Sequence, residues 1–310
     1  MANDKENQKS GWEPESRILP EYTGLAQAVE EIDRVLRLCT GLNDFERKLV
    51  GYYAVATYYI DHYSVFPGLM LYGDTSTGKS QVLDVLGTVC HRVSRLTEKT
   101  STEAALRAAM KESNKGTLIL EEAGEFRMED IEGVLVTRYS KSAAQTAKMV
   151  MEGDTHELER AATYGATIIH RQFSVRKPML QRRLISIHAL RQKRAKPFVK
   201  FFELNEKDDG VDLEAFIKKI QSLFSVLPEI PRVRAQWEGV EPGILDSYMP
   251  IIAIASVLED QLFIGEIVRE VRDKSEELRE DESSLEQPTI LRTIVSVSYT
   301  HLTLPTKRIV

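Results

Sequence analysis

Between Gly73 and Ser80 the chain reads Gly-Asp-Thr-Ser-Thr-Gly-Lys-Ser, two glycines with four residues between them followed at once by a lysine and a hydroxyl. Glycines at these positions let the backbone bend so that successive N–H groups converge on one anion, at the positive end of a following helix. A lysine there neutralises β- and γ-phosphate oxygens, and a serine hydroxyl offers an oxygen to magnesium. Gly73, Asp74, Thr75, Ser76, Thr77, Gly78, Lys79 and Ser80 are therefore the expected cradle for ATP, with Mg2+ as its companion.

A phosphate cradle needs an acid near the metal and a base for the attacking water. Thr117 to Leu120 form a short strand-type run that ends in Glu121 and Glu122. Glu121 is the expected metal ligand beside Ser80, and Glu122 the group that polarises water, with Glu121 or Glu125 next in line as the base. The run Ala166 to Ile169 leads into His170 and Arg171, so His170 is the first candidate for a γ-phosphate sensor and Arg171 the second; the other reading makes both part of a basic surface. Arg183, in a Gln-Arg-Arg stretch ahead of the run 184–187, could stabilise charge on the transferring phosphate, in cis or from a neighbouring subunit, or be a plain surface arginine.

These residues demand strands that end at them and helices that start from them. Residues 69–72 read as a buried strand before the glycine loop, and the apolar spacing from Lys79 to about Val93 as a helix after it. Helices are expected over 25–38, from an Asn43/Glu46 capping box through Tyr59, over 103–112 behind Ser101 or Thr102, and over 128–139. Residues 145–164 read as a hairpin around Gly153-Asp154. Strands alternating with helices imply an α/β fold with a mostly parallel sheet covered on both faces. Past Phe198 only helical patterns remain, notably 213–227 and 250–278, as a helical lid or accessory region. The expected organisation is a polar segment and helix over 1–44, a core over 45–197 and a helical part over 198–296.

Composition places few limits. A chain of 310 residues, 42% hydrophobic and 28% charged, is ordinary for a globular protein. Apolar runs fall short of the roughly 18 residues needed to span a bilayer, so no membrane is expected. Cys39 and Cys90 are too few and too far apart for a disulfide framework or metal motif, which makes a reducing cytoplasm the default. Net charge is −6, yet residues 138–200 hold fourteen Lys or Arg against four acids, an excess of ten. Such segregation suits a polyanion such as DNA, with Arg138, Lys141, Lys148 and Arg160 flanking the hairpin turn. Tyr52, Tyr53, Tyr58, Tyr59 and Tyr63 are expected as packing groups rather than base-stacking ones. Residues 297–306, Val-Ser-Tyr-Thr-His-Leu-Thr-Leu-Pro-Thr, resemble the translation of a transposase mosaic-end adaptor, so 297–310 is expected to be a translated sequencing-adaptor artefact with native sequence once continuing past Ser296.

The stretches 54–89, 100–126, 164–169, 182–194, 246–261 and 289–295 together resemble the P-loop ATPases carried by phages, plasmids and other mobile elements, often beside primases and largely catalogued as a domain of unknown function. That resemblance implies a RecA- or AAA-like core, ATP hydrolysis and a part in replication, and it carries Lys79, Ser80, Glu121, Glu122 and Arg183 into nucleotide roles. It also departs from the group's relatives, with Glu121 where Asp is usual and His170 where many helicases have Asn. The expected function is Mg-dependent ATP hydrolysis by a helicase-like or primase-associated motor, working as a homo-oligomeric ring on DNA. A nucleotide-dependent loader that remodels partner proteins without translocating is the alternative.

Overall fold

The computed structural model describes residues 18–74, 77–97, 102–121, 128–152, 155–175, 177–190, 198–233 and 237–301, and within these not the side chains of 128, 148–152, 155–159 and 282–301. Two helices come first, α1 (Thr23–Cys39) and α2 (Asp44–Ala56). The expected capping box opens α2: Glu46 N donates to Asn43 Oδ1 at 2.9 Å, and Asn43 N donates back to Glu46 at 2.8 Å. A 3-10 turn, Thr57–His62, then leads to β1 (Gly68–Tyr72).

From β1 the chain alternates helix and strand: α3 (Lys79–Val89), β2 (Val93–Thr97), α4 (Glu103–Glu112), β3 (Thr117–Glu121) and α5 (Met128–Tyr139). The antiparallel hairpin β4 (Gln145–Glu152) and β5 (Thr155–Ala162) follows, and then β6 (Ala166–Arg171), α6 (Pro178–Gln181) and β7 (Leu184–His188). Five strands form one all-parallel sheet in the order β2-β3-β6-β1-β7, while β4 and β5 form a separate two-stranded sheet. This is the α/β architecture that alternation predicts. One strand is new: α3 stops at Val89, and Val93–Thr97 is the sheet edge rather than the end of a helix.

Strand alternation sorts the sheet's two faces. Leu69, Leu71, Ile119, Ala166 and Ile168 pack with Val82, Leu83 and Leu86 of α3 in one core; Met70, Leu118, Leu120 and Ile169 pack with α4, α5 and α6 in the other. The connection leaving β1 therefore runs over one face and the connection leaving its neighbour β6 over the opposite one. Such a reversal opens a crevice beyond the carboxyl ends of the two strands, where ligands of open α/β sheets bind.

The remaining described elements are helical, as expected: α7 (Glu206–Asp209), α8 (Leu213–Leu223), α9 (Pro242–Val257) and α10 (Gln261–His301). Phe216, Ile220, Ile244, Ile251 and Phe263 belong to the core that holds α1, α2 and α3, so these helices share the packing of the α3 face. Two boundaries differ from the apolar pattern. Pro250 lies inside α9, which starts at Pro242, and the chain breaks at Leu258 to Asp260, where Glu259 has φ 55. The tyrosines behave as packing groups: Tyr52, Tyr53 and Tyr59 are buried, Tyr53 Oη donates to Pro67 O at 2.9 Å, and Tyr52 stacks on Phe263.

Candidate functional site

The loop from β1 to α3 lies at the mouth of that crevice. Gly73 has φ 137, and a Cβ there would sit 2.4 Å from Ala189 O, so the backbone position excludes any side chain. Gly78 caps α3 with φ 86, in the left-handed region. The first turn of α3, beginning at Lys79 and Ser80, presents N–H groups that have no intrahelical acceptor.

Lys79 is 6% exposed and folds back over its own loop. Its Nζ donates to Gly73 O at 2.8 Å, to Thr77 Oγ1 at 3.0 Å and to Asp74 O. Thr77 Oγ1 in turn donates to Asp74 O at 2.9 Å. Burial lowers the pKa of Lys79 while Asp74 works against that shift. The ammonium thus sits inside the turn with its three N–H donors on loop oxygens, which phosphate oxygens would have to replace. Ser80 is exposed on the first turn of α3, and Asp74 is exposed on the loop; Thr75 and Ser76 lie outside the described residues.

Glu121 ends β3 on the α3 face, by alternation with Ile119. Its carboxylate ion-pairs with Arg95 of β2, and Arg95 Nη2 also donates to Asp84 Oδ1 at 3.0 Å. Asp84 follows Ser80 by four residues in α3, so both project from one side of that helix. Ser80 and Glu121 are both hard oxygen donors, the chemistry that Mg2+ takes. Arg95 links Glu121 to Asp84, which lies one helical turn from Ser80 on α3. Glu122 and Glu125 lie outside the described residues.

His170 also belongs to this face, alternating with Ala166 and Ile168, and it pairs in register with Leu71 of β1. Leu120 pairs with Ile169, so continuing that register sets His170 beside Glu121. One strand, β6, thus separates the acid strand from the loop strand. Two strand spacings leave about 10 Å between them, room for a phosphoryl group and a water. Arg171, the second sensor candidate, alternates to the opposite face.

Arg183 lies elsewhere. It precedes β7, and its carbonyl accepts from Gly68 N at 2.9 Å, at the end of β1 opposite Gly73. β1 advances about 3.3 Å per residue, so roughly 13 Å of strand separates that edge from the loop. The guanidinium lies over the Tyr139 ring at 5.4 Å. Within one chain Arg183 and Lys79 are at opposite edges of the sheet.

The basic stretch is only partly a surface. Arg138, expected to flank a DNA-facing turn, is fully buried, and this corrects that reading. Its guanidinium donates to the carbonyls of Met110, Ser113, Gly116, Thr163 and Ala166 and to Thr167 Oγ1, which ties α5 to the entrances of β3 and β6. Burial pulls its pKa down to about 9. Lys141 donates to Asp61 O at 2.5 Å, Lys177 pairs with Glu132, and Arg182 with Glu241. The hairpin itself, Gln145–Ala162, has two cations (Lys148, Arg160) against four acids (Glu152, Asp154, Glu157, Glu159), so it is acidic rather than basic. Arg176, Arg191, Lys193, Arg194 and Lys196 lie outside the described residues.

Sequence reading missed Arg95 and Asp84. The spacing from Ser80 to Asp84 signals one helix face, but nothing local marks Arg95 as part of a strand. Together these features define an α/β protein whose parallel sheet, flanked by helices, gathers a glycine–lysine loop and an acid at its carboxyl edge. No family model matches the chain, and no curated protein matches it in sequence. Among solved structures, the A form apo structure of the NrS-1 C-terminal region has a TM-score of 0.36 at 11% identity, covering 64% of this chain and 43% of that one. The same region as residues 305–718 gives 0.34 at 12% identity with the same coverage. The chain thus spans less than half of that region's length, and both likenesses are too distant to bear on function. Among the described residues no helix is long and apolar enough to cross a membrane.

Proposed function

We propose that the chain is a RecA/AAA-like P-loop NTPase that binds ATP and hydrolyses it with Mg2+. The observation that carries the reading is Lys79, held inside the glycine loop on backbone oxygens, on the same face of the sheet as Ser80, Glu121 and His170. Lys79 and the loop amides would grip the β- and γ-phosphates. Ser80 and Glu121 would hold the metal, which when bound neutralises charge on the bridging phosphate oxygens. Glu122 would accept the proton of the attacking water, and His170 would register the γ-phosphate. Arg183 reaches such a site only from a neighbouring copy, which fits a ring with ATP between subunits.

For the target, we infer a motor on DNA within mobile-element replication, a primase or other replication protein being its companion. The cations that serve it are those beyond the hairpin, in 171–200. A second reading, a switch that remodels protein partners, is favoured by two observations: the acidic hairpin and the buried Arg138 remove the cations nearest the expected channel. Phosphate release from ATP, measured with and without single-stranded DNA, separates them. DNA-stimulated turnover supports the motor, turnover indifferent to DNA supports the switch, and the absence of turnover in both rejects the hydrolase.

A further inference from the structure

Arg95 of β2 reaches both α3 and the acid of β3. Its guanidinium contacts Asp84 and Glu121 at once, with the three side chains 33%, 16% and 18% exposed. Gly87 leaves α3 bare beside it, Arg95 Nη1 lying 3.6 Å from where a Cβ would stand. Burial pulls the arginine's pKa down, but its bonds to Glu121 and Asp84 outweigh that and leave it raised. A guanidinium and a hard cation compete for the same carboxylate oxygens. An arginine that lost Glu121 would keep a counter-ion, because Asp84 sits one helical turn beyond Ser80 and already accepts from it.

We propose that Arg95 is a two-seat counter-ion: it neutralises Glu121 until metal arrives, then rests on Asp84 alone. Arg95 and Asp84 are then positioning residues that set the metal concentration at which the site fills. This rests on the P-loop reading, since Glu121 matters only as the metal's acid. Arg95 competes with metal, whereas Asp84 helps metal by offering Arg95 another place. The two substitutions therefore move the metal requirement in opposite directions, and the effect of Asp84 vanishes once Arg95 is gone.

The test is a Mg2+ titration of the full chain with a fluorescent ADP analogue, read as the half-saturating metal concentration. Partly exposed ion pairs contribute up to about 1 kcal/mol, so Arg95→Ala should lower that concentration up to about fivefold and Asp84→Asn raise it about threefold. The double variant should match Arg95→Ala alone. Melting in chelator should show a small loss for Arg95→Ala that added Mg2+ more than restores. Arg95→Gln, which keeps the packing, serves if the alanine variant fails to fold. An unchanged or raised metal requirement in both Arg95 variants overturns the proposal. So does a double variant equal to the product of the single effects, which would mean simple through-space attraction. Nucleotide binding by the native chain in these cases leaves the P-loop reading standing; no binding by any form, with or without Mg2+, overturns both.

Discussion

Replacing Arg138 by methionine keeps most of the volume and removes the charge and every donor. Six acceptors lose a partner: Met110 O, Ser113 O, Gly116 O, Thr163 O, Ala166 O and Thr167 Oγ1, at 2.9 to 3.2 Å from the guanidinium. Three of them keep a backbone donor: Gly116 N donates to Ser113 O and Ala166 N to Gly116 O, both at 2.9 Å, and the parallel pairing of Ala166 with Thr117 sets Leu118 N on Ala166 O. The loss falls on the other three, and at about 1 kcal/mol per buried acceptor left unpaired it amounts to roughly 3 kcal/mol. Against a total stability of about 5–15 kcal/mol, that is a large fraction. At about 2–4 °C per kcal/mol for a chain of this size, melting should fall by roughly 6–12 °C. Arg160→Ala, at an exposed position, should stay within about 0.5 kcal/mol of the native chain. Thermal melts beside fluorescence anisotropy with labelled single-stranded DNA read both effects. An Arg138→Met protein that melts with the native one but binds DNA less would refute the reasoning, because it would put that cation in solvent.

Two further expectations concern chemistry and pH. Glu122→Gln should still bind ATP but lose about 10²- to 10⁴-fold in phosphate release, the contribution of a positioned base; undiminished turnover in a colorimetric phosphate assay would move the base to Glu121 or Glu125. Burial raises the phenols of Tyr53 and Tyr248 well above the ordinary 10.0. The folded chain therefore keeps protons that the unfolded chain releases, so this stability is complete below about pH 10 and is lost as pH rises beyond it. Urea midpoints taken at rising pH should fall above that point, with tyrosinate absorbance from these rings appearing together with unfolding; tyrosinate formed by all rings in a still-folded chain would contradict their burial.

What the sequence made legible was local. The glycine–lysine loop, the Asn43/Glu46 box and the strands at 69–72, 117–120, 166–169 and 184–187 each declare themselves within a few residues, by backbone need or by an unbroken apolar run. β2 did not, because only Val93 and Leu96 in it are apolar and an edge strand needs no more. Pro250 invited a helix start, yet α9 accommodates it within a buried helix that begins at Pro242. Charge counting misread Arg138, since its six converging oxygens come from two distant stretches, 110–116 and 163–167, that only the fold brings together. The same holds for Arg95, whose partners lie 11 residues before it and 26 after.

The central claim is that the β1–α3 loop grips a triphosphate through Lys79. Calorimetric titration of ATP with Mg2+ into the native chain and into Lys79→Ala tests it most directly. The account predicts saturable binding by the native chain that disappears in the variant while both melt as folded proteins. Equal binding by the two, or none by a folded native chain, would contradict it.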